Sequence, residues 1–66
     1  MKQVDEMPTS GQFVAVWQSN SWVSHWDVKV VDGEYIHDHP YDGDVVLSKT
    51  AIDRLKLKNI TYFIAD

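Results

Sequence analysis

The chain has no cysteine among its 66 residues. This absence excludes disulfides, thiolate metal sites and thiol nucleophiles together. Long apolar runs are absent as well, since none approaches the roughly 20 residues of a membrane-spanning helix. Without cross-links, a chain this short buries only about 60% of the surface that its unfolded form exposes, so we expect one domain with a thin margin of stability.

The first residues, "MKQVDEMPTSG", lack the apolar run of a secretory signal and show no sustained periodicity. We expect 1–11 to be a flexible lead-in and 12–66 to be a single globular domain, in a complete protein of the cytoplasm.

Basic residues are scarce in most of the chain, whose formal net charge is −4. Residues 1–48 hold two lysines against eight acids, a net −6, whereas residues 49–66 hold four cations against two acids, a net +2. Such a balance argues against wrapping a nucleic-acid backbone with the whole surface. It favours a protein that meets basic surfaces.

Strand patterns dominate what is present. "QFVAVWQS" and "WVSHWDVKVV" are rich in β-branched and aromatic residues, and "DG" at Asp32-Gly33 predicts a type I′ hairpin leading into "EYIHDH". "PYDGD" is typical of a loop, and 45–48 fits either a strand or a loop. A helix over about 50–58, capped by Thr50, precedes a last strand, "NITYFIA".

These elements predict an α+β fold, a small antiparallel β-meander of four to five strands with one short helix before the last strand. The alternative is an SH3-like small β-barrel. Two-residue turns at Asn20-Ser21 and Asp32-Gly33 would pair Val28 with His37. They would also gather on one core face Phe13, Ala15, Trp17, Trp22, Ser24, Trp26, Val28, Val30, Tyr35, His37 and His39.

The opposite face carries many apolar residues as well as charged ones, and a monomer rarely leaves so much apolar surface exposed to solvent. Either the helix covers it or a partner does, with self-association by a two-fold contact as one form. Its residues are Val14, Val16, Val23, His25, Asp27, Lys29, Val31, Glu34, Ile36 and Asp38.

His37 and His39 are spaced to point to one side of a strand, as two ligands of a zinc or nickel ion would. A third ligand is not evident, because His25 and Asp38 fall on the other face. We favour the interpretation that both rings flank the aromatic core, edge-on to Trp26 and hydrogen-bonded. We predict no bound cofactor.

Five acids between residues 32 and 44 have no fixed cation near them in sequence. They could simply keep an edge strand soluble, or they could contact a basic protein that normally holds phosphates. An enzyme is not expected, because a core this small leaves little room for a pocket of about 300 Å³. The predicted partner-binding residues are Glu34, Asp38, Tyr41, Asp42 and Asp44.

We therefore predict a small, acidic, non-enzymatic binding protein of the inhibitor or adaptor type, a format typical of viruses and mobile elements. Its partner would be a protein with a basic surface, such as an enzyme that handles nucleic acid. The alternatives are a metal-binding module using the His-x-His pair, and a single-strand nucleic-acid binder using Arg54, Lys56 and Lys58. No membrane role is expected.

Overall fold

Six antiparallel strands form one sheet, with one short helix, in the computed structural model, which describes residues 1–65. The elements are β1 (Lys2–Val4), β2 (Gly11–Gln18), β3 (Val23–Val31), β4 (Glu34–His39), β5 (Gly43–Val46), α1 (Lys49–Arg54) and β6 (Ile60–Ile64). The sheet has the spatial order β1-β6-β2-β3-β4-β5, so β1 and β5 are its two edges and it does not close. An antiparallel sheet with one short helix before the last strand is therefore confirmed, with six strands rather than four to five, and the SH3-like barrel is wrong. Meander order holds only from β2 to β5, because β6 pairs with both β2 and β1.

The turn between β3 and β4 has the predicted type I′ character. Asp32 and Gly33 both have positive φ, 51° and 81°, as this turn requires. The strands on either side then pair in the predicted register, with Val31 opposite Glu34 and Val28 opposite His37. This one dipeptide therefore sets which side chains of β3 and β4 share a face.

The loop between β2 and β3 spans residues 19–22 and is centred on the predicted turn, Asn20-Ser21, because Gln18 lies opposite Val23. The predicted register therefore holds, with Phe13 opposite Val28 and Ala15 opposite Trp26. Trp22 is the exception. It belongs to the loop, where its carbonyl accepts a hydrogen bond from the Ser19 amide at 2.9 Å, and it is 54% exposed, so its assignment to the core face was wrong.

Strand β1, which was not predicted, comes from the segment that we expected to be a flexible lead-in. Lys2 pairs with Ile64 and Val4 with Tyr62, and Val4 and Met7 pack against the core. A three-residue strand is too short to show an alternating pattern. Its partner β6 is recognisable from the sequence, but the pairing itself is not.

Residues 43–46 form β5, so the loop before it is shorter than predicted. The helix is also shorter, Lys49–Arg54 rather than about 50–58, and its N-cap is Ser48 rather than Thr50. The Ser48 hydroxyl accepts a hydrogen bond from the Ala51 amide at 3.2 Å. Beyond Arg54 the backbone closes with i→i+3 hydrogen bonds, which turn the chain toward β6.

The core lies on one face of the sheet, beneath the helical segment. Leu55, fully buried just after α1, packs with Phe13 and Tyr62, and the Tyr62 hydroxyl donates to the Leu55 carbonyl. Burial raises the pKa of Tyr62. Trp17 and Trp26 pack edge-to-face at 5.2 Å, so the inward placement of these rings is confirmed. With the helix on this side, the opposite face of the sheet is left uncovered.

Candidate functional site

The uncovered side of the sheet, which we call the open face, combines apolar and acidic side chains. Two adjoining hollows of about 390 and 520 Å³ lie on it and share Met1, Val14, Asp27 and Phe63 in their lining. The expectation that so small a core leaves little room for a pocket of about 300 Å³ was wrong for the surface of the sheet. The room exists because the helix covers only the other face. The side chains on the open face include Val14, Val16, Asp27, Lys29, Ile36, Asp38, Asp44 and Phe63.

Three carboxylates cross the open face on consecutive strands, and we call them the carboxylate row: Asp27 on β3, Asp38 on β4 and Asp44 on β5. Asp38 and Asp44 are direct partners in the ladder, and Asp27 and Asp38 each neighbour the paired residues Val28 and His37 on their strands. All three line the 390 Å³ hollow. Like charges directly opposite each other destabilise a sheet, so this arrangement opposes folding rather than supporting it.

A lysine side chain pairs with the row. The Lys29 ammonium is 2.9 Å from the Asp44 carboxylate, which corrects the expectation that no fixed cation accompanies these acids. Both side chains are substantially exposed, so this pair contributes little to stability. Within residues 1–65, Asp27 and Asp38 have no ion-pair partner, and the row with Lys29 keeps a formal charge of −2.

The turn between β4 and β5 extends this acidic surface beyond the sheet. The Nδ1 of His39 accepts hydrogen bonds from the amides of Tyr41 and Asp42, at 3.2 and 3.1 Å. The Asp42 carboxylate lies 3.5 Å from the same nitrogen. His39 thus shapes the turn, and Tyr41 projects from it with 91% of its surface exposed.

The predicted partner-binding residues are only partly brought together. Asp38 and Asp44 lie on the open face, with Tyr41 and Asp42 in the adjoining turn. Glu34 shares the face but lies four residues before Asp38 on β4, roughly 13 Å away.

Sequence reasoning placed Asp27 and Lys29 on this face without assigning them to the site. The signal for Asp27 was present, because the register set by the β3–β4 turn carries Asp27 toward Asp38. The signal for Lys29 was weaker, because its contact with Asp44 depends on where β5 begins.

His37 and His39 do not form a metal centre in this arrangement. Their rings lie 5.9 Å apart and nearly perpendicular. His37 is stacked on Trp26 at 4.7 Å with an interplanar angle of 16°, which corrects the predicted edge-on contact, and its Nδ1 donates to the Asp27 carbonyl at 3.0 Å. Across the described part of the chain, no three His, Asp or Glu side chains are grouped so as to hold a metal ion.

The core aromatic rings are not part of the carboxylate row, although Phe63 lines the same hollow as the row. Phe13 packs edge-to-face with Tyr35 and Tyr62 inside the core, and Arg54 lies in the last turn of the helix. These core rings are therefore not an exposed stacking platform.

The six-residue helix α1 is far too short to cross a membrane, and residues 1–65 contain no longer apolar helix. Comparison of the chain with protein-family models, with curated proteins and with solved structures gave no match in any of the three.

Proposed function

We propose that this protein is a non-enzymatic, acidic binding protein of the inhibitor or adaptor type, acting in the cytoplasm on a partner protein with a basic surface. The observation that carries the proposal is the carboxylate row, three acids on consecutive strands accompanied by a single lysine. A partner that supplies cations to this row would relieve a repulsion that the free protein retains.

The spacing of the row suits a partner that normally holds phosphates. Neighbouring strands lie about 4.8 Å apart, so the carboxylates follow one another across the sheet at intervals of that order. A partner surface built to line up cations against a phosphate chain, such as that of an enzyme that handles nucleic acid, would meet a line of closely spaced negative charges here.

The β4–β5 turn supplies the part of the surface that reaches outward. Tyr41 is almost fully exposed, and tyrosine is enriched among the residues that anchor interfaces because its ring buries a large area with few rotatable bonds. Asp42 beside it adds a negative charge on a largely exposed side chain. Tyr41 would therefore anchor the complex, while Asp38, Asp42 and Asp44 would steer and pair with basic residues. Glu34 would lie at the rim.

The test is a comparison of association rates. The protein is immobilised, its partner is captured from a host lysate and identified, and binding is then measured at low salt for wild type and for the double reversal D42K/D44K. Electrostatic steering can raise association rates by tenfold or more, so we expect the reversal to slow association by about tenfold. We expect the difference to shrink as added salt screens the charges.

A matched control changes the same net charge elsewhere. The reversal D5K/E6K lies between β1 and β2, where both side chains are exposed, and it should leave the association rate close to that of wild type. Circular dichroism checks that both variants stay folded. An association rate unaffected by D42K/D44K, or slowed equally by the control, contradicts the proposal.

A further inference from the structure

We infer that the open face binds an amphipathic helix of the partner, with an apolar stripe flanked by lysines or arginines. The inference rests on the proposed function and adds to it the form of the bound segment and the apolar residues that receive it. Three features carry it: the apolar part of the face, the sign of its charge, and the absence of a long free backbone edge beside it.

The apolar part of the open face lies beside the carboxylate row, not within it. Val14 pairs with Phe63 on one side and with Asp27 on the other, and Val16 lies two residues along the same strand. These half-buried side chains line the hollows together with Val23, which is 63% exposed. Exposed apolar surface of this kind, rimmed by polar residues, marks interaction sites.

The charge beside these residues selects among occupants. A second copy docked face to face would set one carboxylate row near another, which repels. Anionic lipid head groups and nucleic-acid phosphates would be repelled for the same reason. A protein segment that carries cations next to apolar side chains can pair with the carboxylate row and also pack on the apolar part of the face.

The shape of the site favours a helix over an added strand. Strand addition needs a free backbone edge, but the edge strands β1 and β5 have only three and four residues, and the hollows are lined largely by side chains of inner strands. A helix about 10 Å in diameter can place its i, i+3, i+4 and i+7 side chains on Val14, Val16 and Phe63. Its flanking cations then reach the row.

The probe is a synthetic peptide of about 18 residues, roughly 27 Å long as a helix, comparable with the 26 and 33 Å extents of the protein. It has leucine at helical stripe positions and lysine elsewhere. Binding is measured by calorimetry, and the site is located by amide chemical shifts. We expect the largest shifts in Val14, Val16 and Phe63, and an affinity at least about tenfold above that of a peptide with the same composition and no stripe.

Two variants of equal charge locate the apolar contact. V16K places a lysine in the proposed contact and should weaken peptide binding by at least about tenfold. L57K makes a similar exchange at an exposed leucine after the helix and should leave binding within about twofold of wild type. A helical leucine–glutamate peptide should not bind.

Each remaining outcome has a defined meaning. Equal binding of the striped and stripeless peptides, or equal loss in V16K and L57K, would overturn the inference while leaving an acidic contact surface in place. Absence of binding together with dimers in sedimentation would assign the face to a second copy and also overturn it. If the peptide binds the open face but D42K/D44K leaves partner association unchanged, the proposed function fails separately.

Discussion

Leu55 is the residue whose truncation should damage the fold most. It is fully buried, the largest side chain of the described residues with that property, although it lies just beyond the last residue of α1. No residue of the helix itself is buried, so Leu55 supplies the main apolar contact that fixes the helical segment to the sheet. Replacing it with alanine would leave a cavity next to Phe13 and Tyr62.

The expected loss is large compared with the whole stability of the protein. Leu→Ala substitutions at buried sites cost about 2.7–5.0 kcal/mol, depending on how far the site collapses. A domain of this length has a free energy of unfolding of about 3–10 kcal/mol. Leu55→Ala should therefore remove at least a quarter of that free energy, and the variant is unfolded in buffer if the total lies near the lower bound.

Urea unfolding followed by circular dichroism measures the effect. With a slope of about 1 kcal/mol per molar urea for a small domain, a loss near 3 kcal/mol moves the midpoint by about 3 M. Leu57→Ala is the matched control, because Leu57 is 52% exposed and its truncation should cost within about 0.5 kcal/mol. If the alanine variant does not fold, Leu55→Met keeps the volume and should lose less than about 1.5 kcal/mol. Equal midpoints for Leu55→Ala and Leu57→Ala would refute the reasoning.

Three further changes test other features. Burial raises the pKa of Tyr62, so the Tyr62 hydroxyl ionises at a lower pH in the unfolded chain than in the folded protein. The free energy of unfolding should therefore fall as pH rises above about 10. In thermal melts at alkaline pH, Tyr62→Phe should show a smaller fall, and at neutral pH it should lose about 1 kcal/mol of stability. Gly33→Ala meets no atom within 4 Å but keeps φ near 81°, so it should lose about 1–2 kcal/mol, read as a lower Tm. Asp38→Asn removes one of two facing carboxylates and should raise the free energy of unfolding by about 0.2–1 kcal/mol, measured in urea.

The parts of the fold that sequence reasoning predicted are those fixed by local chemistry. Asp32-Gly33 admits one common hairpin turn, so the register of β3 and β4 followed from two residues. The faces of β2 also followed, because the loop over residues 19–22 is centred on the predicted turn, Asn20-Ser21. Trp22 itself was misplaced, since it lies in that loop and its side chain is largely exposed.

The parts that escaped prediction depend on contacts between distant segments. The Lys29–Asp44 pair joins residues 15 apart in sequence and requires β5 to begin at Gly43. The pairing of β1 with β6 joins the two ends of the chain. A strand of three residues is too short for its sequence to predict that pairing. The predicted N-cap of the helix, Thr50, lies two residues after the observed one, Ser48, because both side chains can cap a helix. Which face the helix covers was likewise left open by its weak periodicity.

The two unusual features of the open face are best explained together. The facing carboxylates of Asp38 and Asp44 oppose folding. The solvent-exposed valines beside them contribute less hydrophobic stabilisation than buried ones would. Both features occur in a domain whose stability is low. Sequences that depart from local rules tend to do so at functional sites. Both departures lie on the face that the helix does not cover, where the core gives no reason for them, and one cationic amphipathic segment would relieve both. Asp38→Asn should therefore separate the two effects, strengthening the free protein while weakening its binding.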